Sequence, residues 1–332
     1  MTLTEAMIAL AVTLLVVGSA LGLVGPTRQI LGIQTQTADL YQRARMAAAR
    51  LHRDILNAAV PTASLAAREA VRPSLLPARL GQATMFDGGA LTLVSTPTVG
   101  VPAVTVAPLQ GRIASVRVAP GPECLTSARR ACGLQPDMTV LIISDGRSDF
   151  LRVTDVGDDV ILVESLDRDE LPPHGAGALV VPIEVRSYYF DPVRSQLRYE
   201  DGWATDAPVL DDVVGLSFQF FGVHPQVGGQ QSAAHVCADG AVVADLSRPL
   251  AELTALELTD GPWCRVRHRF DVDLLRVRRV GVRIRLQAAA AENRGHDTRL
   301  FARPGSARSL ERSVPDVSIQ FDVVPRHTWV GR

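Results

Sequence analysis

Residues 1–26 read MTLTEAMIALAVTLLVVGSALGLVGP, and this stretch decides how the rest of the chain is read. From residue 6 to residue 24 it carries no charge. A helix rising ~1.5 Å per residue would make that run about 28 Å long, just enough to cross a bilayer. A secretory signal would begin with basic residues; here none precedes the run, and Glu5 sits at its edge. An unpaired carboxylate there costs roughly 2.5–3.5 kcal/mol, so Glu5 calls for a partner or a proton. Pro26 predicts a kink or a locally melted turn.

Working outward, the apolar residues fall into a stripe. Ile30, Ile33, Leu40, Ala44, Ala47, Leu51, Ile55 and Ala58 recur at steps of three and four, with Arg28, Gln36, Asp39, Arg43, Arg50 and Arg53 mostly off it. Such spacing belongs to a helix with one face packed on a globular body. It predicts one long helix ending near Ala59, before Pro61. After a connector at 61–83 the pattern changes to period-two, β-branched runs: ALTLVST (90–96), RIASVRV (112–118), TVLIISD (139–145), DFLRVTDV (149–156) and VILVESL (160–166). VVPIEVRSYYFD, SQLRYEDG, VVGLSFQFFG, VRRVGVRIRLQA and DVSIQFDVV continue the series. These read as strands separated by turns such as Asp145-Gly146.

The whole chain of 332 residues is 47% hydrophobic and 21% charged, which gives enough apolar material for a real core and argues against disorder. Its net charge of -1 provides no field to draw in nucleic acid or an anionic membrane. No lysine occurs, so all 34 basic residues are arginine.

Met1, Thr2, Leu3 and Glu5 with the apolar run Ala6–Val24 resemble the processed N-terminus of the type IV pilin superfamily. YQRARMAAARLHRDIL (41–56), RSYYFDPVRSQLRYEDG with DDVVGLSFQFFG, and VRRVGVRIRLQA with SVPDVSIQFDVVPRHTW are similar to PilW-type minor pilins and to the related minor pseudopilin J of type II secretion. Strands outnumber helices, which reads as α+β, and the resemblance implies a pilin-like fold, with a long N-terminal helix on a mainly antiparallel β-sheet head; the cysteines considered next would add long disulfide-stapled loops. Residues 1–26 would be a transmembrane and filament-core helix, 27–60 its amphipathic continuation, and 61–332 the head. Stretches near 98–137 and 223–267 have no counterpart and read as insertions. Met1, Thr2 and Glu5 would make the assembly contact, the Glu5 carboxylate meeting a neighbour's terminal amine.

Four cysteines fall in those insertions. Cys124 with Cys132 and Cys237 with Cys264 is the economical pairing among three connectivities if the head is exported. No C-x-x-C pair supports zinc, although His235 and His268 lie near cysteines. Asp155, Asp158 and Asp159, and then Asp167, Asp169 and Glu170, supply oxygens for calcium, but solvated turn carboxylates explain them as well. Acids predominate from Asp137 to Asp212 and arginines from Arg265 to Arg303. Arg276, Arg278, Arg279, Arg283 and Arg285 form a strip that could contact a polyanion such as DNA; pairing with the acidic half is the favoured reading. Ser144, Asp145, His174 and His224 show no nucleophile–base spacing, so no enzyme activity and no cofactor are expected, with a spatial triad left open.

The expected function is a minor pilin that helps initiate or cap a type IV pilus within a tip complex. Its partners would be other minor pilins, the major pilin, a tip adhesin, the assembly platform and the prepilin peptidase. It would sit in the inner membrane with a periplasmic head, then at the tip of the extracellular pilus. A minor pseudopilin of type II secretion is the nearest alternative, and a DNA- or surface-binding module is the alternative of another class.

Overall fold

A computed structural model describes residues 2–58, 75–79, 88–95, 101–120, 130–144, 147–166, 173–201, 205–222, 249–259, 274, 277–309 and 312–325. It opens on α1 (Leu3–Asn57), a helix of 55 residues with Ala58 as C-cap. The helix carries on through Pro26, so the melting expected there does not occur. Leu40, Ala44, Ala47, Leu51, Ile55 and Ala58 from the apolar stripe are all buried in the larger of two apolar cores.

Fourteen strands are described, and every pairing among them is antiparallel. Six of them close on themselves: β3 (Ala103–Thr105), β4 (Ile113–Pro120), β7 (Val160–Ser165), β6 (Arg147–Val156), β5 (Thr139–Ser144) and the first part of β8 (Leu179–Asp191). Because β8 pairs with both β3 and β5, the ring β8-β3-β4-β7-β6-β5 has no free edge, which makes it a small barrel. Val116, Val118, Val140, Ile142, Leu151, Val153, Ile161, Val163 and Val180 fill its interior. Along β5 the neighbouring Leu141 and Ile143 belong to the other core, as do Val181 and Ile183 of β8. Strands buried on both faces read as continuous apolar runs, which explains why TVLIIS and LVVPI do not alternate.

The far half of β8 joins β1 (Leu75–Leu76), β2 (Ala90–Ser95), β9 (Gln196–Glu200) and β10 (Asp206–Asp211) in the order β1-β2-β8-β9-β10. A separate sheet runs β12 (Ala251–Leu253), β11 (Val213–Gly222), β13 (Val277–Leu286), β14 (Val317–Val323), with a short α2 (Ala255–Thr259) after β12. The second half of α1 lies mainly against β14.

Three expectations are corrected. Strands dominate the described residues, so the chain is mostly antiparallel β rather than α+β and pilin-like, because the two-face-buried runs close a barrel instead of adding to one open sheet. Among the described residues no helix is long and apolar enough to cross a membrane. The transmembrane helix, the inner-membrane anchoring and the localisation built on them are withdrawn. Finally, no disulfide joins two described residues, so the stapled loops are not part of the described fold. Cys132 is itself disulfide-bonded, while Cys124, Cys237 and Cys264 lie outside the described residues.

A polar clamp holds α1 to the sheet. The Tyr188 hydroxyl donates to the buried Asp54 carboxylate, Arg186 donates to the same carboxylate at 3.0 Å, and Arg50 Nε donates to the Tyr188 oxygen at 3.2 Å. Burial, then the bond to Asp54, pushes the Tyr188 phenol well above its ordinary value. A folded pKa above the unfolded one gives stability that is complete below about pH 10 and falls as pH rises past it. Denaturant midpoints from pH 8 to pH 11.5 should show that fall. Tyr188→Phe should lower stability by about 1–3 kcal/mol at pH 8, by leaving Asp54 short of a donor, and should flatten part of the alkaline decline. An unchanged alkaline slope in the variant would place the titration elsewhere.

Candidate functional site

Two regions stand out as candidate sites. The first is the start of α1. Leu3 is 81% exposed, Leu15 75% and Met7 67%, and Ile8, Leu10, Val12, Leu14, Val16 and Val17 are exposed as well. Every residue from 2 to 19 is exposed, so this helix is apolar on all sides and stands clear of the head. Apolar helix surface without cover on every side marks a contact with something else. At its first turn Glu5 folds back, its carboxylate accepting the Thr2 backbone N–H at 2.9 Å. This half of a capping box satisfies one of the orphan donors of the helix start. The T-x-x-E spacing of residues 2–5 carried that signal. Met1 lies outside the described residues.

The second region is one end of the barrel, which sequence spacing did not reveal. Ser144 ends β5 on the same alternation as Val140 and Ile142, and Asp149 lies on β6 in step with Leu151 and Val153, so both belong to the barrel-facing side. The register pairs Ile142 with Asp149 and Ser144 with Arg147, which makes Ser144 and Asp149 diagonal neighbours on one face. Such positions lie about 7–8 Å apart, and the ring of His174 spans the gap. Its Nδ1 is 2.7 Å from Ser144 Oγ and its Nε2 is 3.0 Å from Asp149 Oδ2. A carboxylate accepts only, so Nε2 carries a proton, and in the neutral ring Nδ1 then accepts from the serine hydroxyl. His174 is 0% and Asp149 1% exposed, whereas Ser144 is half-buried.

The main chain fixes His174 in place. Its N–H and C=O exchange hydrogen bonds with Leu109 at 2.8 and 2.9 Å. Buried Thr105 of β3 ties down the following turn, its main chain bonding Gly177 and Ala178 at 2.8 Å and its hydroxyl accepting from the Ala178 N–H at 3.0 Å. Gly177 has φ +88°, a conformation that a side chain would strain. The geometry is that of a nucleophile, a base and an orienting carboxylate.

The remaining candidates are placed differently. Arg276 lies outside the described residues. Burial pushes the Arg278 guanidinium below its ordinary pKa. Arg279 stacks 4.2 Å from the Phe221 ring centroid and reaches Asp322 at 3.5 Å, Arg283 donates to Gln320 at 3.1 Å, and Arg285 to Asp316 at 2.8 Å. Their polar partners come from β14 and the residue before it, not from the acidic 137–212 region. Asp155 caps the Val156 N–H and Asp159 pairs with Arg117 at 3.4 Å, while Asp158 lends its carbonyl to Ala131. No group of three His, Cys, Asp or Glu that could hold a metal is found among the described residues. Asp167, Asp169, Glu170, His224, His235 and His268 lie outside them.

The Arg285–Asp316 bond is a structural one, because the Asp316 side chain is 2% exposed. Arg285→Ala should therefore destabilise the chain by about 1–3 kcal/mol in urea denaturation, whereas Arg283→Ala, at an exposed site, should stay within about 0.5 kcal/mol. Equal losses would mean that the strip is not divided in this way. No family model matches the chain, and no curated protein or solved structure matches it.

Proposed function

We propose that the chain is a filament-assembly subunit of the minor-pilin kind, which helps to initiate or cap a pilus by packing the first half of α1 among the helices of other subunits. The observation that carries this reading is the helical stretch 3–19, apolar and exposed on every side while the second half of the same helix is locked into the head. Burying one large apolar side chain contributes about 1.5–3 kcal/mol, so even the nine large exposed ones from Leu3 to Val17 give a strong drive to associate. A helix without a one-sided stripe fits a partner surface that surrounds it, such as a bundle of like helices.

Glu5 supports the reading in a second way. Thr2 occupies Oε2 of its carboxylate, and a carboxylate offers about four acceptor sites, so the group keeps capacity for a neighbour's donor. The resemblance of the N-terminal motif to pilins names the neighbours as other minor pilins and the major pilin. The polyanion-binding alternative has no comparable support, because Arg279, Arg283 and Arg285 are engaged within their own sheet.

The test combines deletion with complementation in the producing cells. Mass spectrometry of sheared filaments should find the chain in trace amounts beside the major subunit, and filaments should disappear on its deletion. The wild type should restore them. Leu10→Asp with Leu14→Asp should not, although its head should melt at the wild-type temperature, since neither residue contributes to the described core. Absence from filaments, with secretion impaired on deletion, would favour the type II pseudopilin reading instead.

A further inference from the structure

We propose that Ser144, His174 and Asp149 form a reactive acyl-transfer site at the end of the barrel, taking carboxylic esters as substrate with Ser144 as nucleophile. The site is independent of the assembly helix and of its proposed role. Three observations converge on it. The distances, 2.7 Å from Ser144 Oγ to His174 Nδ1 and 3.0 Å from His174 Nε2 to Asp149 Oδ2, form an unbroken donor chain from hydroxyl to carboxylate. Exposure is greatest at the half-buried serine, while the histidine and the aspartate are fully buried, which leaves the nucleophile as the member nearest to solvent. The imidazole is also held on both sides by backbone, through Leu109 and through the Thr105 brace on the turn that follows it.

A serine placed only to satisfy a buried histidine could be buried with it. Here the serine is the outermost member, half-buried at the last position of its strand. Because Asp149 fixes the Nε2–H tautomer, the free lone pair of Nδ1 points at the serine proton. Either imidazole nitrogen can act as the base, provided that the other carries the proton.

In the first step Ser144 Oγ forms a bond to the ester carbonyl carbon as its proton passes to His174 Nδ1. The bond from that carbon to the alkoxy oxygen breaks, and the leaving alcohol takes the proton from Nδ1. Water then attacks the acyl-serine, gives one proton to Nδ1, and the proton returns to Ser144 as the acid departs. The sum is ester plus water to acid plus alcohol. Asp149 touches no substrate and is a positioning residue.

A fluorophosphonate, which loses fluoride to an activated serine, is the probe, applied to the full chain with intact-mass and peptide-mass readout. The expected result is one adduct per folded chain, on the peptide that contains Ser144. The labelling rate should rise from acid pH and level off, as general-base assistance requires. Ser144→Ala should remove the adduct while still unfolding cooperatively, at a midpoint lowered by the loss of one hydrogen bond to the buried His174. His174→Gln and Asp149→Asn should slow labelling by about 10²–10⁴-fold, and Asp149→Asn should also shift the midpoint of the pH profile. Hydrolysis of p-nitrophenyl acetate should follow the same order of variants.

The wild type decides the outcome through the peptide that carries its adduct, with Ser144→Ala as the control, so a misfolded His174 variant leaves the test intact. No adduct on the folded wild type, an adduct of equal rate in Ser144→Ala, or a rate that climbs with hydroxide and never reaches a plateau would each overturn the proposal and leave the triad as a buried structural bridge.

Discussion

The main-chain pairing of β8 is the constraint on which the rest of the structure depends. Over thirteen residues this strand pairs with β3 and β5 at its start and with β2 and β9 at its end, so the barrel and the open sheet share one backbone. Its side chains serve two cores at once, with Val180 turned into the barrel and Val181, Ile183, Val185 and Tyr188 into the core under α1. A slip of one residue would exchange those faces everywhere along its length. Pro182 sits in the gap between the β3 pairing, which ends at Val180, and the β2 pairing, which begins at Glu184. On that side there is no ladder for the missing N–H to interrupt.

Much of the fold was legible because it was local. The stripe from Leu40 to Ala58 gave the packed half of α1, and the expected stop near Ala59 lies two residues beyond Asn57. The ten longest apolar or alternating runs each became a strand with ends within a few residues of those expected. The missed strands, β1, β3, β10 and β12, are two to six residues long and carry little pattern of their own. They exist because longer neighbours offer them a ladder, which is a tertiary reason and leaves no mark in the segment. Closure of the barrel was equally invisible. It depends on β8 meeting both β3 and β5, pairings that span tens of residues, and a buried run on two faces looks the same in a closed ring as in an open sheet.

The site was legible only in part, for the same reason. Ser144 pairs with Arg147 across a connection of two residues, the Asp145-Gly146 turn of the sequence, and that register alone puts Ser144 and Asp149 on one face. Two of the three members could therefore have been paired from the hairpin. His174 could not, because it arrives from a segment pinned by Leu109 and Thr105 on the far side of the ring. The arginine strip shows the converse error. Composition along the chain suggested that the acidic region 137–212 would answer it, yet the partners Asp316, Gln320 and Asp322 come from the neighbouring strand and its approach. Strand adjacency, not sequence charge density, decides which charges meet.

The two candidate regions are also separable in energy. No buried apolar residue described in α1 precedes Leu40, so the head's described core owes nothing to the first turns of the helix. Covering the stretch 3–19 with partner helices therefore needs no rearrangement of the head. Conversely, the polar clamp of Arg50, Asp54, Tyr188 and Arg186 holds the second half of α1 against β8 through groups whose unpaired burial would be costly. A contact made at the exposed end thus reaches the head through a continuous helix and a fixed anchor. The barrel lies beyond that anchor, across β5 and β8, whose two faces belong to different cores. Ser144 and Leu10 or Leu14 can therefore each be substituted without touching the other region, and one strand, β8, joins the barrel to the core under the helix.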